Sequence, residues 1–140
     1  MSKKILILCT GNSCRSQMAE GFLKSFGPEL EVFSAGTNPA GKVNPNAVKV
    51  MKEEGIDISS ASTNNVSDFV NNNFDYVITV CDNAKEKCPV FTGKVKQRLH
   101  LGFVDPADAK GTPEQILSEY REVRDEIKIA FKQLYDTKLK

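Results

Sequence analysis

The stretch Cys9-Thr10-Gly11-Asn12-Ser13-Cys14-Arg15-Ser16 constrains this chain more than any other. It sets a nucleophile, a tight backbone curl and a fixed cation between an apolar run at 5–8 and an amphipathic helical pattern. In a Cys-x5-Arg loop successive N–H groups converge on one spot, and a tetrahedral oxyanion fits there. Gly11 and Asn12 are expected to supply the positive φ that the curl needs, and the following helix adds the positive end of its dipole. The oxyanion-binding set is therefore Thr10, Gly11, Asn12, Ser13, Cys14 and Arg15, with Arg15 offering a planar fork to two anion oxygens. The same donors favour a thiolate at Cys9, and Ser16 is placed to donate one further hydrogen bond. Residue by residue, the bland reading is a buried cysteine ending a strand, then a turn. Together, strand, Cys-x5-Arg-Ser and helix give each part a separate task at one site.

The surrounding pattern predicts the fold. Residues 3–8 are nearly continuously apolar with β-branched members, as in a strand covered on both faces. Met18, Ala19, Phe22, Leu23 and Phe26 then recur at helical spacing until Gly27-Pro28. Residues 31–35 read as a second strand, 36–44 as a loop, and Pro45 opens a helix that ends by Gly55. Residues 56–73 read as a loop with one short helix near Val66 and Phe69. A clear third strand spans 75–80 and runs directly into Cys81, and a weaker fourth spans 94–101. Thr112-Pro113 caps a last helix whose Ile116, Tyr120, Val123, Ile127, Phe131 and Leu134 share one face. Alternating strands and helices predict α/β architecture, a single four-stranded parallel sheet flanked by helices, in one domain over 1–140. In such sheets ligands sit beyond the carboxyl ends of strands, where both Cys9 and Cys81 fall.

With these residues in hand, the chain resembles the low-molecular-weight protein tyrosine phosphatases. Its string C-T-G-N-S-C-R-S-Q-M-A-E-G at 9–21 is similar to that of their relatives, the thioredoxin-coupled arsenate reductases. The likeness extends through Ser34-Ala35-Gly36, Asn44-Pro45, Asp57-Ile58-Ser59, Val80-Cys81 to Cys88-Pro89, Asp105-Pro106-Ala107 and Val123-Arg124-Asp125-Glu126-Ile127. It implies a flavodoxin-like sandwich and a relay of three cysteines: the residue matching Cys9 attacks arsenate, that matching Cys81 attacks Cys9 and releases arsenite, and that matching Cys88 captures Cys81. It further implies Asp105 as general acid, Arg15 and Ser16 as anion and thiolate stabilisers, and thioredoxin as the source of reducing equivalents, with no tightly bound cofactor. Some of those reductases hold potassium behind the cradle through residues matching Asn12, Glu20 and Ser34 plus an aspartate. That aspartate position is Asn64 here, and losing the charge weakens a cation site. Potassium near Asn12, Glu20 and Ser34 stays an open alternative, not an expectation, and no other metal is assigned.

The cradle alone does not choose the reaction, because phosphate, sulfate and arsenate are all tetrahedral oxyanions. A second thiol is the discriminating feature. Seven helical residues rise roughly 10 Å, whereas a disulfide needs Cα atoms about 4.4 to 6.8 Å apart. A bond between Cys81 and Cys88 therefore demands unwinding of the polar interval at 82–87. The main rival is a tyrosine phosphatase, whose cradle is usually followed by proline and whose general acid is followed by aromatics. Gln17 and Ala107-Asp108 stand at those places here, leaving an aryl ester little to stack on. A non-catalytic oxyanion sensor needs neither the thiolate nor the acid. Taken alone, Asp105 before Pro106 is more often a turn residue. His100 is assigned no role and Cys14 a structural one. The Cys-x4-Cys and Cys-x6-Cys spacings, with Arg15 beside them, disfavour zinc.

Composition excludes other classes. A net charge of +1, from 19 basic and 18 acidic residues without long runs, points to neither nucleic acid nor an anionic membrane. The apolar run after Lys3-Lys4 is too short for a signal peptide. A cytoplasmic monomer is expected, in which four cysteines are catalytic or redox groups rather than a disulfide framework.

Overall fold

The computed structural model describes residues 3–82 and 91–140. The apolar run becomes the central strand, β1 (Lys4–Cys9), whose Ile5, Leu6, Ile7 and Leu8 are fully buried. With β2 (Glu31–Gly36), β3 (Asn73–Thr79) and β4 (Lys94–His100) it forms one sheet in the order β2-β1-β3-β4, every pairing parallel. Three helices complete the frame: α1 (Arg15–Phe26), α2 (Pro45–Glu53) and α3 (Pro113–Leu134). The α/β class and four-stranded parallel sheet expected from the sequence are therefore found.

The two faces are covered differently. Ile5 and Ile7 of β1 join Met18, Phe22, Leu23, Val50, Met51, Ile127 and Phe131 in a core that unites all three helices. Leu6 and Leu8 point to the other side, with Ala35, Phe74, Val77 and Phe91, packed by Val66 and Phe69 from a short 3-10 turn, Val66–Phe69. Phe74 and Phe91 meet edge to face at 5.6 Å between ring centroids, an arrangement that suits their quadrupoles. Among the described residues, no long helix contributes to that second core. Full burial of each Leu or Ile is worth roughly 1.5–3 kcal/mol, so β1 anchors both layers.

Element ends differ from the sequence reading by one or two residues. β3 begins at Asn73, inside the asparagine triplet, because its pairing with Lys94 is made by backbone and is indifferent to the side chain. β4 is an exposed edge, and its Lys94, Lys96 and Arg98 discourage further strand pairing while weakening its apolar signature. No described helix is long and apolar enough to cross a membrane.

The long helix α3 starts on a reciprocal cap. Thr112 Oγ1 accepts from the Gln115 N–H at 3.1 Å, and Gln115 Oε1 accepts from the Thr112 N–H at 2.9 Å. Thr112→Ala should lower the unfolding free energy by about 1 kcal/mol. Urea titration should show an earlier midpoint at unchanged slope, with Thr112→Ser close to the parent.

Candidate active site

The chain leaves β1 at Cys9, curls through residues 10–14, and enters α1 at Arg15. Asn12 alone in the curl takes a left-handed backbone, with φ of 51°; Gly11 does not, contrary to the expectation for it. Asparagine tolerates that region because its short amide finds local partners, and here it finds several. Asn12 Nδ2 donates to Ser16 Oγ at 2.8 Å and to Ser34 Oγ at 2.9 Å, while its Oδ1 accepts from the Asn64 N–H at 2.8 Å. All three polar side chains, of Asn12, Ser16 and Ser34, are fully buried.

The carbonyls of the curl face outward and are paired one by one. Thr10 O accepts from Asn38 N–H at 3.0 Å, Gly11 O from Ala40 N–H at 2.9 Å, and Ser13 O from Asn44 N–H at 2.8 Å. Asn12 O accepts from Gln17 Nε2 at 3.0 Å, whose amide also reaches Ser62 O at 3.0 Å. In a trans peptide the N–H points opposite to the C=O. Holding these four carbonyls outward therefore aims the amides of Gly11, Asn12, Ser13 and Cys14 inward. The start of α1 adds to the donor set: Asn44 and Thr112 cap α2 and α3 with their side chains, whereas Cys14, at the N-cap of α1, makes no side-chain cap bond. Backbone N–H groups at a helix start suit an anion.

The loop after β2 must pass against the cradle to supply those bonds. Gly36 makes this passage possible, because a Cβ there would lie 2.3 Å from Thr10 O. Asn38, Asn44, Gln17 and Asn64 are thus site-supporting residues that sequence reasoning missed, and the role of the first two rests on backbone N–H groups with no side-chain signature. Gln17, singled out only for what it replaced, ties the cradle to the loop at 62.

Cys9 lies at the base of the curl, 4% exposed, and Arg15 is 3% exposed beside it. Arg15 Nη1 donates to Phe103 O at 3.1 Å, and Nη2 pairs with Asp105 Oδ2 at 3.5 Å. Asp105 Oδ1 accepts from the Ala107 N–H at 3.0 Å, which fixes the carboxylate at the mouth. A cavity of about 310 Å³ results, lined by Cys9 through Arg15 and by Asn38, Asp105 and Asp108. Cys14, also buried, is held protonated: burial pushes its thiol far up, the charge of Asp105 adds to this, and Arg15 opposes it.

Cys81 follows β3, the neighbour of β1. The Val80 N–H donates to Leu8 O at 3.0 Å, so Cys81 emerges at the same end of the sheet as Cys9. Cys81 is fully buried and disulfide-bonded, whereas Cys9 and Cys14 are not in a disulfide. Cys88, and with it most of the interval expected to unwind, lies outside the described residues.

A low molecular weight phosphotyrosine protein phosphatase model matches residues 4–140. The chain belongs to that family. Within it, the chain is 51% identical over 139 residues to an arsenate reductase of Shouchella clausii, covering 98% of this chain and 99% of the relative. It is 50% identical over 137 residues to an arsenate reductase of Bacillus subtilis, covering 97% of each. Among solved structures, an arsenate reductase in the phosphate-binding state matches with a TM-score of 0.78 at 31% identity, covering 99% of both chains. An arsenate reductase in the oxidized state matches at 0.77 and 30%, covering 96% of this chain and 97% of its own.

A potassium ion behind the cradle would draw on Asn12, Glu20, Ser34 and the residue at 64. Asn12, Glu20, Ser34 and Asn64 do meet, but as matched hydrogen-bond partners. Ser34 Oγ donates to Glu20 Oε1, Asn64 Nδ2 donates to Ser34 O at 3.0 Å, and Lys24 Nζ forms an ion pair with Glu20 Oε2. A cation needs converging oxygen acceptors. Here N–H and ammonium groups already use them, so the residues do not fit potassium.

Two outcomes test this site. Gly36→Ala should displace Thr10 and slow alkylation of Cys9 by iodoacetamide at least severalfold, measured by mass spectrometry, at little cost in far-UV circular dichroism. Cys14 should make stability pH-dependent: its pKa is raised by folding, so the contribution is complete below the unfolded value of about 8.5 and declines as pH rises above it. The slope approaches about 1.4 kcal/mol per pH unit. Urea unfolding between pH 8 and 10 should show that loss in the parent and a flatter dependence in Cys14→Ala.

Proposed function

We propose that this protein reduces arsenate to arsenite by a relay of Cys9, Cys81 and Cys88, recycled by thioredoxin. Full-length identity of about half to arsenate reductases supports the activity. The observation that carries the relay is a second cysteine leaving the strand next to the nucleophile's own, at the same end of the sheet. A phosphatase, whose intermediate is resolved by water, has no use for it.

The cradle binds arsenate through its inward amides and Arg15. Cys9 thiolate attacks arsenic, and Asp105 protonates the departing oxygen, which leaves as water. Cys81 thiolate then attacks Cys9 Sγ. The S–As bonding pair passes to arsenic, which leaves as arsenite, and Cys9 and Cys81 become disulfide-bonded. Cys88 thiolate attacks Cys81 Sγ and frees Cys9, so the two electrons given to arsenic are balanced by the Cys81–Cys88 disulfide. A thioredoxin dithiol reduces that bond and is itself oxidised.

The pocket's polar mouth supports the choice of substrate. Among the described residues its lining holds Asn38, Asp105 and Asp108 and no aromatic ring, which suits a free inorganic oxyanion better than an aryl ester. Weak hydrolysis of small aryl phosphates accompanies reduction, because the same thiolate and acid can attack phosphorus. Phosphate and sulfate compete for the cradle.

With thioredoxin, thioredoxin reductase and NADPH, arsenate should drive many turnovers of NADPH oxidation, and Cys9→Ser should abolish them. Cys81→Ser and Cys88→Ser should each stop multiple turnover while leaving aryl phosphate hydrolysis largely intact. Equal loss of both activities in either variant would return Cys81 and Cys88 to a structural role.

A further inference from the structure

Asn44 stands where three elements meet. Its Oδ1 caps α2 by accepting from the N–H groups of Asn46 at 2.8 Å and Ala47 at 3.3 Å. Its Nδ2 donates to the Tyr120 hydroxyl of α3 at 3.0 Å. Its own backbone N–H donates to Ser13 O in the cradle at 2.8 Å. Tyr120 is 2% exposed, and its ring sits in the main core with Cys14. Burial, with Cys14 and Asp105 nearby, pushes its phenol up, so the hydroxyl stays protonated and polar beneath the site.

The side chain at 44 needs both ends of an amide. Aspartate, serine and threonine would cap α2, but none carries an N–H₂ that donates to the phenol, and glutamine is one methylene longer. The consequence reaches the anion through one peptide. Drawing Ser13 C=O toward Asn44 turns the Cys14 N–H the other way, into the cradle. If Asn44 shifts, that donor shifts with it.

We propose that Asn44 and Tyr120 are positioning residues for oxyanion binding, with Tyr120 holding Asn44 and Asn44 holding the Ser13–Cys14 peptide. Neither touches the anion. Their effect is on preorganisation: a donor already aimed costs nothing to orient when charge arrives. The inference rests on the cradle's being the arsenate site, and it adds two residues that the reaction itself does not name.

The test reads anion affinity without requiring turnover. Cys9 alkylation by iodoacetamide is followed at fixed pH with increasing arsenate, and separately with inorganic phosphate, and the midpoint of protection is recorded. Tyr120→Phe removes only the hydroxyl, and Asn44→Ser keeps a cap on α2 while losing the amide donor. Both should need about tenfold more anion for half protection, which corresponds to about 1.4 kcal/mol. Thr112→Ala, a change in the cap of α3, serves as the stability control and should keep the parent midpoint. Midpoints within twofold of the parent in both variants, with melting temperatures lowered as in the control, would reduce Asn44 and Tyr120 to structural residues and overturn the inference. If neither anion protects Cys9 in the parent protein, the functional reading falls together with it, a failure distinct from unchanged variants.

Discussion

The structure depends on the inversion of one short piece of backbone. A peptide curl that presents its amides to a common centre must send its carbonyls outward, and buried carbonyls without partners would cost about 1–3 kcal/mol each. The chain answers with a ring of outer donors: Asn38, Ala40 and Asn44 from the loop after β2, and the side chain of Gln17 from α1. The close pass at Gly36, where no Cβ fits against Thr10 O, lets that loop come near enough. Asn12 closes the inner side, its amide shared among Ser16, Ser34 and Asn64. The anion site is thus held from behind, and of these supports Asn38 also lines the cavity.

The same logic explains what could be read in the sequence. The apolar run of β1, the period of α1 and α3, and the proline starts of α2 and α3 are local signals, and each led to its element. The places of Cys9, Arg15 and Ser16 in one curl were legible because they fall at recognisable spacing, whereas Asp105, taken alone a turn residue, came only with the family resemblance. Asn38 and Ala40 were not, since they act through backbone N–H groups that every residue but proline owns. Asn44 was visible as the residue before a helix-starting proline, but its bond to Tyr120 spans 76 residues of sequence. Gly11 misled for a related reason. Glycine permits a positive φ, yet the side-chain amide of Asn12 is what rewards one, and the left-handed turn falls there.

Charge balance in the site also follows from packing. Arg15 is almost wholly buried, so an unpaired guanidinium would be costly. It is held by Phe103 O and Asp105, both supplied by the segment beyond β4. Phe103 is itself fixed by its N–H to Val80 O at 3.2 Å, one residue before Cys81. The strand end that carries the second cysteine therefore also sets where the arginine rests.

The cysteines show how one residue type is divided by environment. Cys9 stands at the base of the curl, beside Arg15 and the amides aimed inward. Cys14, five residues on, has its thiol pushed up by burial and by Asp105, and it shares the main core with Tyr120. Cys81 owes its place to the sheet. In a parallel sheet all strands end on one edge, and only strands bonded to β1 deliver their termini beside Cys9. β2 delivers Gly36, where close approach forbids any side chain, and β3 delivers Cys81. Of the two neighbours of the nucleophile's strand, one is thus committed to building the cradle, and the other alone is free to bring a second thiol to its edge.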